Sequence, residues 1–203
     1  MNYYIADTHF SQKSALQLDH RPFADLEQME ESMVMFWNAA VKQTDTVYIL
    51  GDFCWGKAEE WLRIVRKLKG KKVLIEGNHD LSHYPDELKK EFVEITPFKE
   101  IVDNGTEGNL GRKVLLSHYP MLFYKKAHRE KYYMLCGHVH QTGENDLLEK
   151  WSNELRQSYQ TGIGTHTANT GQIYNVGCMM PWMEYTPRTL DEIIKRKESY
   201  GVI

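Results

Sequence analysis

Five short clusters of oxygen and imidazole donors punctuate the chain: Asp7-Thr8-His9, Gly51-Asp52, Gly77-Asn78-His79-Asp80, Ser117-His118 and Gly137-His138-Val139-His140. Carboxylate and amide oxygens suit hard divalent ions, whereas imidazole suits Zn, Fe, Ni and Cu, so a mixed set of Asp, Asn and His points to transition-metal chemistry. Such a series has donors enough for two metal ions. Each cluster directly follows an apolar run of strand character: Tyr3 to Ala6, Val47 to Leu50, Val73 to Ile75, Val114 to Leu116 and Tyr133 to Leu135. The donors therefore belong at strand C-terminal ends, the edge where α/β folds bind ligands. Asp-x-His at 7 and 9 and His-x-His at 138 and 140, taken as extended segments, would each project both side chains to one side. Singly these patterns arise by chance; five in series, each after an expected strand, are specific.

The elements that must carry the donors follow from periodicity. Leu26, Met29, Met33, Phe36, Trp37, Ala40 and Val41 draw one apolar stripe along a helix spanning about Ala24 to Val41, with Asp25 and Gln28 as a capping box. A second helix is expected from Ala58 to Leu68, ended by Gly70, and a short one from Pro85 to Phe92. Strand, helix, strand, helix, strand is the order of an α/β layered fold. Val93 to Thr96, Phe98 to Val102 and Lys113 to Leu116, separated by turn residues, predict antiparallel hairpins. The expected architecture is two packed mixed β-sheets flanked by helices, in one domain over residues 1–203. Further on, Leu147, Leu148, Trp151 and Leu155 predict an amphipathic helix, Gln160 to Gly171 a loop, and Ile173 to Val176 a strand. Thr189 with Glu192 caps a final helix expected to fray into Lys195-Arg196-Lys197.

At 203 residues and 41% hydrophobic content, the chain can bury one sizeable core. The sequence has no apolar stretch near the roughly 20 residues of a membrane span, and its start lacks signal-peptide character, so no membrane association and a cytoplasmic location are expected. Cys54, Cys136 and Cys178 are odd in number and scattered, as reduced thiols would be; Cys54 is read as a small core residue. A net charge of −3 does not favour nucleic acid as partner, since phosphate neutralisation needs a basic surface. The basic run Arg63, Arg66, Lys67, Lys69, Lys71 and Lys72 is read as a solvated face.

The ordered motifs resemble those of the calcineurin-like metallophosphoesterase superfamily: Asp-x-His, Gly-Asp, Gly-Asn-His-Asp, a histidine after the fourth strand run and Gly-His-x-His, over roughly residues 1–140. Asp7-Thr8-His9-Phe10 followed by Arg21-Pro22-Phe23, and the later Asn175-Val176-Gly177, are similar to a compact bacterial and phage-associated branch. The resemblance implies that Asp7, His9 and His140 bind one metal, Asn78, His118 and His138 the other, and that Asp52 bridges them. His79 and Asp80 are then left for chemistry, His79 at the leaving oxygen and Asp80 orienting its imidazole. Two dications about 3.5–4 Å apart can hold a bridging water, lower its pKa and clamp phosphoryl oxygens during in-line attack. The implied cofactors are two divalent transition-metal ions, manganese first and iron, zinc, nickel or cobalt as alternatives; the implied partner is a small phosphate-ester substrate, a monoester or a diester. Two departures stand out, Trp55 where many relatives carry an acid and Ser117 where they carry glycine, and both bear on the pocket wall more than on the metals.

Five isolated core histidines would each need polar partners that apolar strands do not supply, which favours a site for His9, His79, His118, His138 and His140. His20, His83, His128 and His166 have no motif and are read as structural or exposed. Arg21 is a candidate phosphate ligand by its forked donors, with a brace across its own loop as the alternative. Tyr119, Tyr124 and Trp182 are read as packing residues, with pocket lining as the alternative. A competing function is a non-catalytic binding or scaffold module on the same fold; the retained donors and His79 favour catalysis.

Overall fold

Strand runs without polar alternation need cover on both faces, and the first half of the chain meets that need with a parallel sheet. The computed structural model describes residues 1–105, 108, 110–161 and 171–201. β1 (Asn2–Ile5), β2 (Thr46–Leu50), β3 (Lys71–Ile75) and β4 (Glu94–Thr96) lie side by side in that order, all parallel. α1 (Ala15–Leu18) and α2 (Leu26–Ala40) connect β1 to β2, α3 (Ala58–Val65) connects β2 to β3, and α4 (Asp86–Lys89) leads to β4. In α2 the stripe buries Met29, Met33 and Trp37. The Asp25 carboxylate accepts from the Gln28 amide at 2.9 Å, while the Gln28 side chain accepts from Ala24, not from Asp25, at 2.6 Å. The reciprocal cap thus closes one residue earlier than the sequence pattern predicts.

The second sheet runs β5 (Phe98–Asp103), β6 (Arg112–Ser117), β7 (Tyr132–Cys136) and β8 (Ile173–Asn175). β5 and β6 pair antiparallel, and β6, β7 and β8 are parallel. β4, expected in a hairpin, instead joins β3; the chain changes sheets at Pro97, which has no N–H to extend a ladder. Period two divides this sheet between two cores. Val114, Leu116, Leu135 and Tyr174 face the first sheet. Met134, Cys136 and Ile173 face outward onto Leu148 of α5 (Gly143–Thr161). The result is an α/β fold of two four-stranded sheets flanked by helices. Beyond the strand ends, the Ala6 amide donates to the Val176 carbonyl and Cys178 to the Ala6 carbonyl, each at 2.8 Å, a seam that joins the sheets where β1 and β8 end.

Several side chains read as solvent-facing turn inward. Arg63 and Arg66 pair with Glu30, Glu87 and Glu91 near the surface, but Lys72 is buried and its Nζ caps the end of α3 by donating to the Leu68 carbonyl at 2.8 Å. α6 (Leu190–Ser199) starts at the expected Thr189–Glu192 box and does not fray at Lys197. There Lys197 is buried, donates to both Glu149 oxygens at 2.7 and 2.8 Å, and lies over the Tyr174 and Trp182 rings. Cys54, Cys136 and Cys178 are all buried free thiols. His20 and His83 are exposed, as expected; His166 and residues 162–170 of the anticipated loop lie outside the described residues. Among the described residues no helix is long and apolar enough to cross a membrane.

Removing one partner of a buried ion pair strands the other charge. Lys197→Ala should therefore cost about 3 kcal/mol in urea unfolding, whereas exposed Lys195→Ala should stay within about 0.5 kcal/mol of the wild type.

Candidate metal centre

The turns after β1, β2, β3, β6 and β7 meet at one edge, and their backbones bind one another before any side chain is considered. Asp7 N–H donates to the Gly51 carbonyl at 3.1 Å, His9 N–H to Asp52 at 2.9 Å and Gly137 N–H to His118 at 2.9 Å. Asp7, His9, Asp52 and His140 then bring one donor atom each within 4.8 Å of one another. His9 Nε2 and His140 Nε2 are 3.3 Å apart. Beside them, His118 Nε2 lies 2.9 Å from Asn78 Oδ1, and the His118 and His138 rings are 5.1 Å apart. Asp52 reaches both groups: Oδ2 is 3.6 Å from His9 Nε2 and Oδ1 is 3.6 Å from His118 Nε2. All seven residues expected to hold metal are thus gathered at one edge.

They are not gathered on extended segments. Asp7, His9, Asp52, His138 and His140 all have positive φ, from 45° to 71°. The same-side projection expected of Asp-x-His and His-x-His as extended pieces is therefore replaced by left-handed turns that aim each donor inward. Left-handed backbone is uncommon away from glycine, and Asp and His tolerate it better than branched residues. The neighbouring glycines are required by closeness. A Cβ on Gly51 would collide with the His118 ring and the Gly77 backbone, and one on Gly77 with the Asp52 carboxylate.

Hydrogen bonds fix the imidazole tautomers. His118 Nδ1–H donates to the Leu50 carbonyl at 2.9 Å and His140 Nδ1–H to Asp19 at 2.6 Å, so neutral forms of both rings turn a bare Nε2 toward the cluster. Burial pushes His9 down to about 4 and lowers His118. Burial, reinforced by the Asp52 charge, raises Asp7 to about 7 against the pull of His140 and the His138 amide. Against the pull of burial, the hydrogen bond to Asp19 and the Asp7 charge raise His140. Buried carboxylate oxygens beside imidazole nitrogens form a donor-rich pocket suited to divalent cations, and the donor set fits them.

The profile of the calcineurin-like phosphoesterase superfamily domain matches residues 3–177. This chain belongs to that superfamily. An uncharacterised protein of Methanocaldococcus jannaschii is 38% identical over 80 residues, 38% of this chain and 46% of that protein, so the match spans less than half of the relative. The crystal structure of a protein of unknown function from Aquifex aeolicus superposes with a TM-score of 0.56 at 26% identity, covering 96% of this chain and 98% of that one. Superfamily membership brings metal dependence with it, in accord with the donor cluster.

Within this phosphoesterase fold, Arg21 takes the second of its two expected roles, while Asp80 and Tyr119 depart from theirs. Arg21, a candidate phosphate ligand, is buried and its guanidinium is committed to the Thr8 and Asp7 carbonyls at 2.7 and 2.9 Å and to Asp19 at 2.7 Å; it braces the loop. Asp80, expected to orient His79, instead accepts from the amides of Asp52, Phe53 and Gly77 at 3.1, 2.9 and 2.8 Å, locking together the turns after β2 and β3. Burial raises Asp80 to about 6. Tyr119, expected in packing like the buried Tyr124 and Trp182, is half-exposed beside His138. His79 sits exposed at the mouth, its ring 6.1 Å from that of His9, and its amide donates to Asp52 at 2.9 Å.

Two further residues support the centre, Asp19, which the sequence analysis did not single out, and Asn175, which it noted only as part of a motif. Asp19 holds both His140 and Arg21, and these bonds keep it below the ordinary carboxylate range in spite of burial; its only signal is being the sole acid between His9 and Arg21. Asn175 donates to the His140 carbonyl at 2.9 Å and accepts from Gly177 at 2.9 Å, tying the last donor to the seam.

Asp7 rises from its ordinary 3.8 to about 7, so the cation-free fold holds a proton there that the unfolded chain has lost. Its contribution to cation-free stability is full below pH 3.8 and is lost as pH climbs through 7. A cation must displace that proton. Manganese affinity measured by calorimetry should rise by up to about tenfold per pH unit between roughly pH 6 and 7 and flatten above. Gly77→Ala, by displacing Asp52, should weaken the same affinity by at least about tenfold.

Proposed function

We propose that the chain is a dinuclear-cation-dependent phosphoesterase that hydrolyses phosphomonoesters or phosphodiesters with water as the nucleophile. Asp7, His9 and His140 hold one cation, Asn78, His118 and His138 the other, and Asp52 is shared. The observation that carries this reading is the fork of Asp52, whose two oxygens lie at equal distance from a histidine of each group. Two divalent cations held by these residues would supply a water of lowered pKa and positive charge for the phosphoryl oxygens. Manganese is the first choice, and iron, zinc, nickel and cobalt also suit mixed carboxylate, amide and imidazole donors.

The chain's own residues do the rest. His118 and His140 stay in one tautomer because Leu50 and Asp19 accept from their Nδ1. His79, exposed and attached through its amide to Asp52, would protonate the leaving oxygen or steady the charge on it, a reading that its exposure beside the donor cluster supports. Asp80 acts as a positioning residue through the turn that carries Asp52. The buried thiols accord with a reducing compartment such as the cytoplasm.

Manganese at about a hundred times its Kd should stabilise the protein by about 2.7 kcal/mol. With p-nitrophenyl and bis-p-nitrophenyl phosphate, Asp52→Asn and His79→Ala should each lower kcat/KM by at least about a hundredfold. Full turnover by both variants, or no stabilisation by any transition-metal ion, would remove the assignment.

A further inference from the structure

The mouth of the centre is edged by two aromatic side chains that the metal chemistry does not use. Trp55 is 45% exposed, and its ring centroid lies 5.4 Å from that of His79. Tyr119 is 48% exposed, and its ring lies 4.7 Å from His138 and 5.1 Å from His118. One aromatic therefore flanks the His9 side, through His79, and the other flanks the His118–His138 side. Each rests against an imidazole of the centre and leaves about half its surface open.

Neither sits on a loose segment. Trp55 N–H donates to the Phe10 carbonyl at 2.7 Å, next to the bridge that pairs Phe10 with Cys54. Tyr119 directly follows buried His118, whose ring is fixed by Leu50, and precedes Pro120. Half-exposed indole and phenol rings on anchored backbone offer flat π surface at small entropic cost, because few rotatable bonds need to be frozen on contact.

We propose that Trp55 and Tyr119 form an aromatic rim that selects phosphate esters carrying a planar ring system, the chemical class of nucleotides. The inference rests on the reading of the centre as a phosphate site and names the substrate class for it. A ring attached through a short sugar to a phosphate at the donor cluster stacks on one rim residue, and a diester with two such substituents has a surface for each. Stacking of this kind recognises the π face and not the base edge, so the rim favours nucleotides over sugar or alkyl phosphates without strong preference among bases. The net charge of −3 argues for short ligands over long polyanions.

The test is binding of non-hydrolysable ligands to the manganese-loaded full chain by calorimetry, with adenosine 5′-phosphonate compared against methylphosphonate. Wild type should bind the nucleoside ligand at least about tenfold more tightly, and Trp55→Ala and Tyr119→Ala should each shrink that ratio by at least about fivefold, with Trp55→Phe restoring most of it. A wild-type ratio near one, or the same ratio in both alanine variants, overturns the rim while leaving the phosphate site standing. Binding of neither ligand overturns both readings. Ring-selective binding without turnover of any ester overturns hydrolysis alone.

Discussion

Two carboxylates shut away from water set the terms for everything around them. Asp7 and Asp52 lie at the meeting of the sheets with 0% and 3% of their surface exposed, and burying anionic groups side by side is costly unless something offsets the charge. The chain's own answer is partial: backbone amides of His138 and His79 donate to them. The Arg21 guanidinium hydrogen-bonds carbonyls and Asp19 and touches neither carboxylate, acting on Asp7 only through its charge. The residual electron density of the pocket is the physical content of the family's metal dependence as it is written in this chain.

Backbone strain follows from the same requirement. Seven side chains must converge from five turns, and their reach is too small to correct for backbones pointing elsewhere. Left-handed turns at Asp7, His9, Asp52, His138 and His140 do the aiming, at a conformational cost of about 1 kcal/mol or more each. That cost is met by cross-ties of high redundancy. Asp80 alone accepts three amides from two turns, and Asn175 links the His140 turn to the segment after β8. A residue such as Asp80 can therefore be indispensable to the centre without touching anything bound in it.

How much of this was legible in the sequence depended on whether residue type alone carried the information. The donors were legible because carboxylates and imidazoles directly after apolar runs have few other uses, and the strands were legible from those same runs. The left-handed turns were not, because Asp and His adopt them without leaving the glycine that marks such positions. Arg21 was ambiguous for a physical reason: a guanidinium that serves a ligand and one that serves its own loop have identical chemistry, and only the neighbouring Thr8 carbonyl and Asp19 decide between them. Lys197 sits in a run of charges that reads as solvated, and its burial against Glu149, Tyr174 and Trp182 depends on a helix 48 residues earlier. Asp19 acts on a histidine 121 residues away, a distance over which spacing says nothing.

The seam between Ala6 and Gly177 gives the centre a mechanical meaning. His140 comes from the far sheet while Asp7, His9 and Asp52 come from the near one, so any ion seated among them is a rivet driven beside the stitching. Closing such distant segments removes chain entropy that grows with the length enclosed, and the rivet exists only while the ion does. An ion bound there would thus add one more cross-tie to a joint that the shared core and the backbone seam already hold.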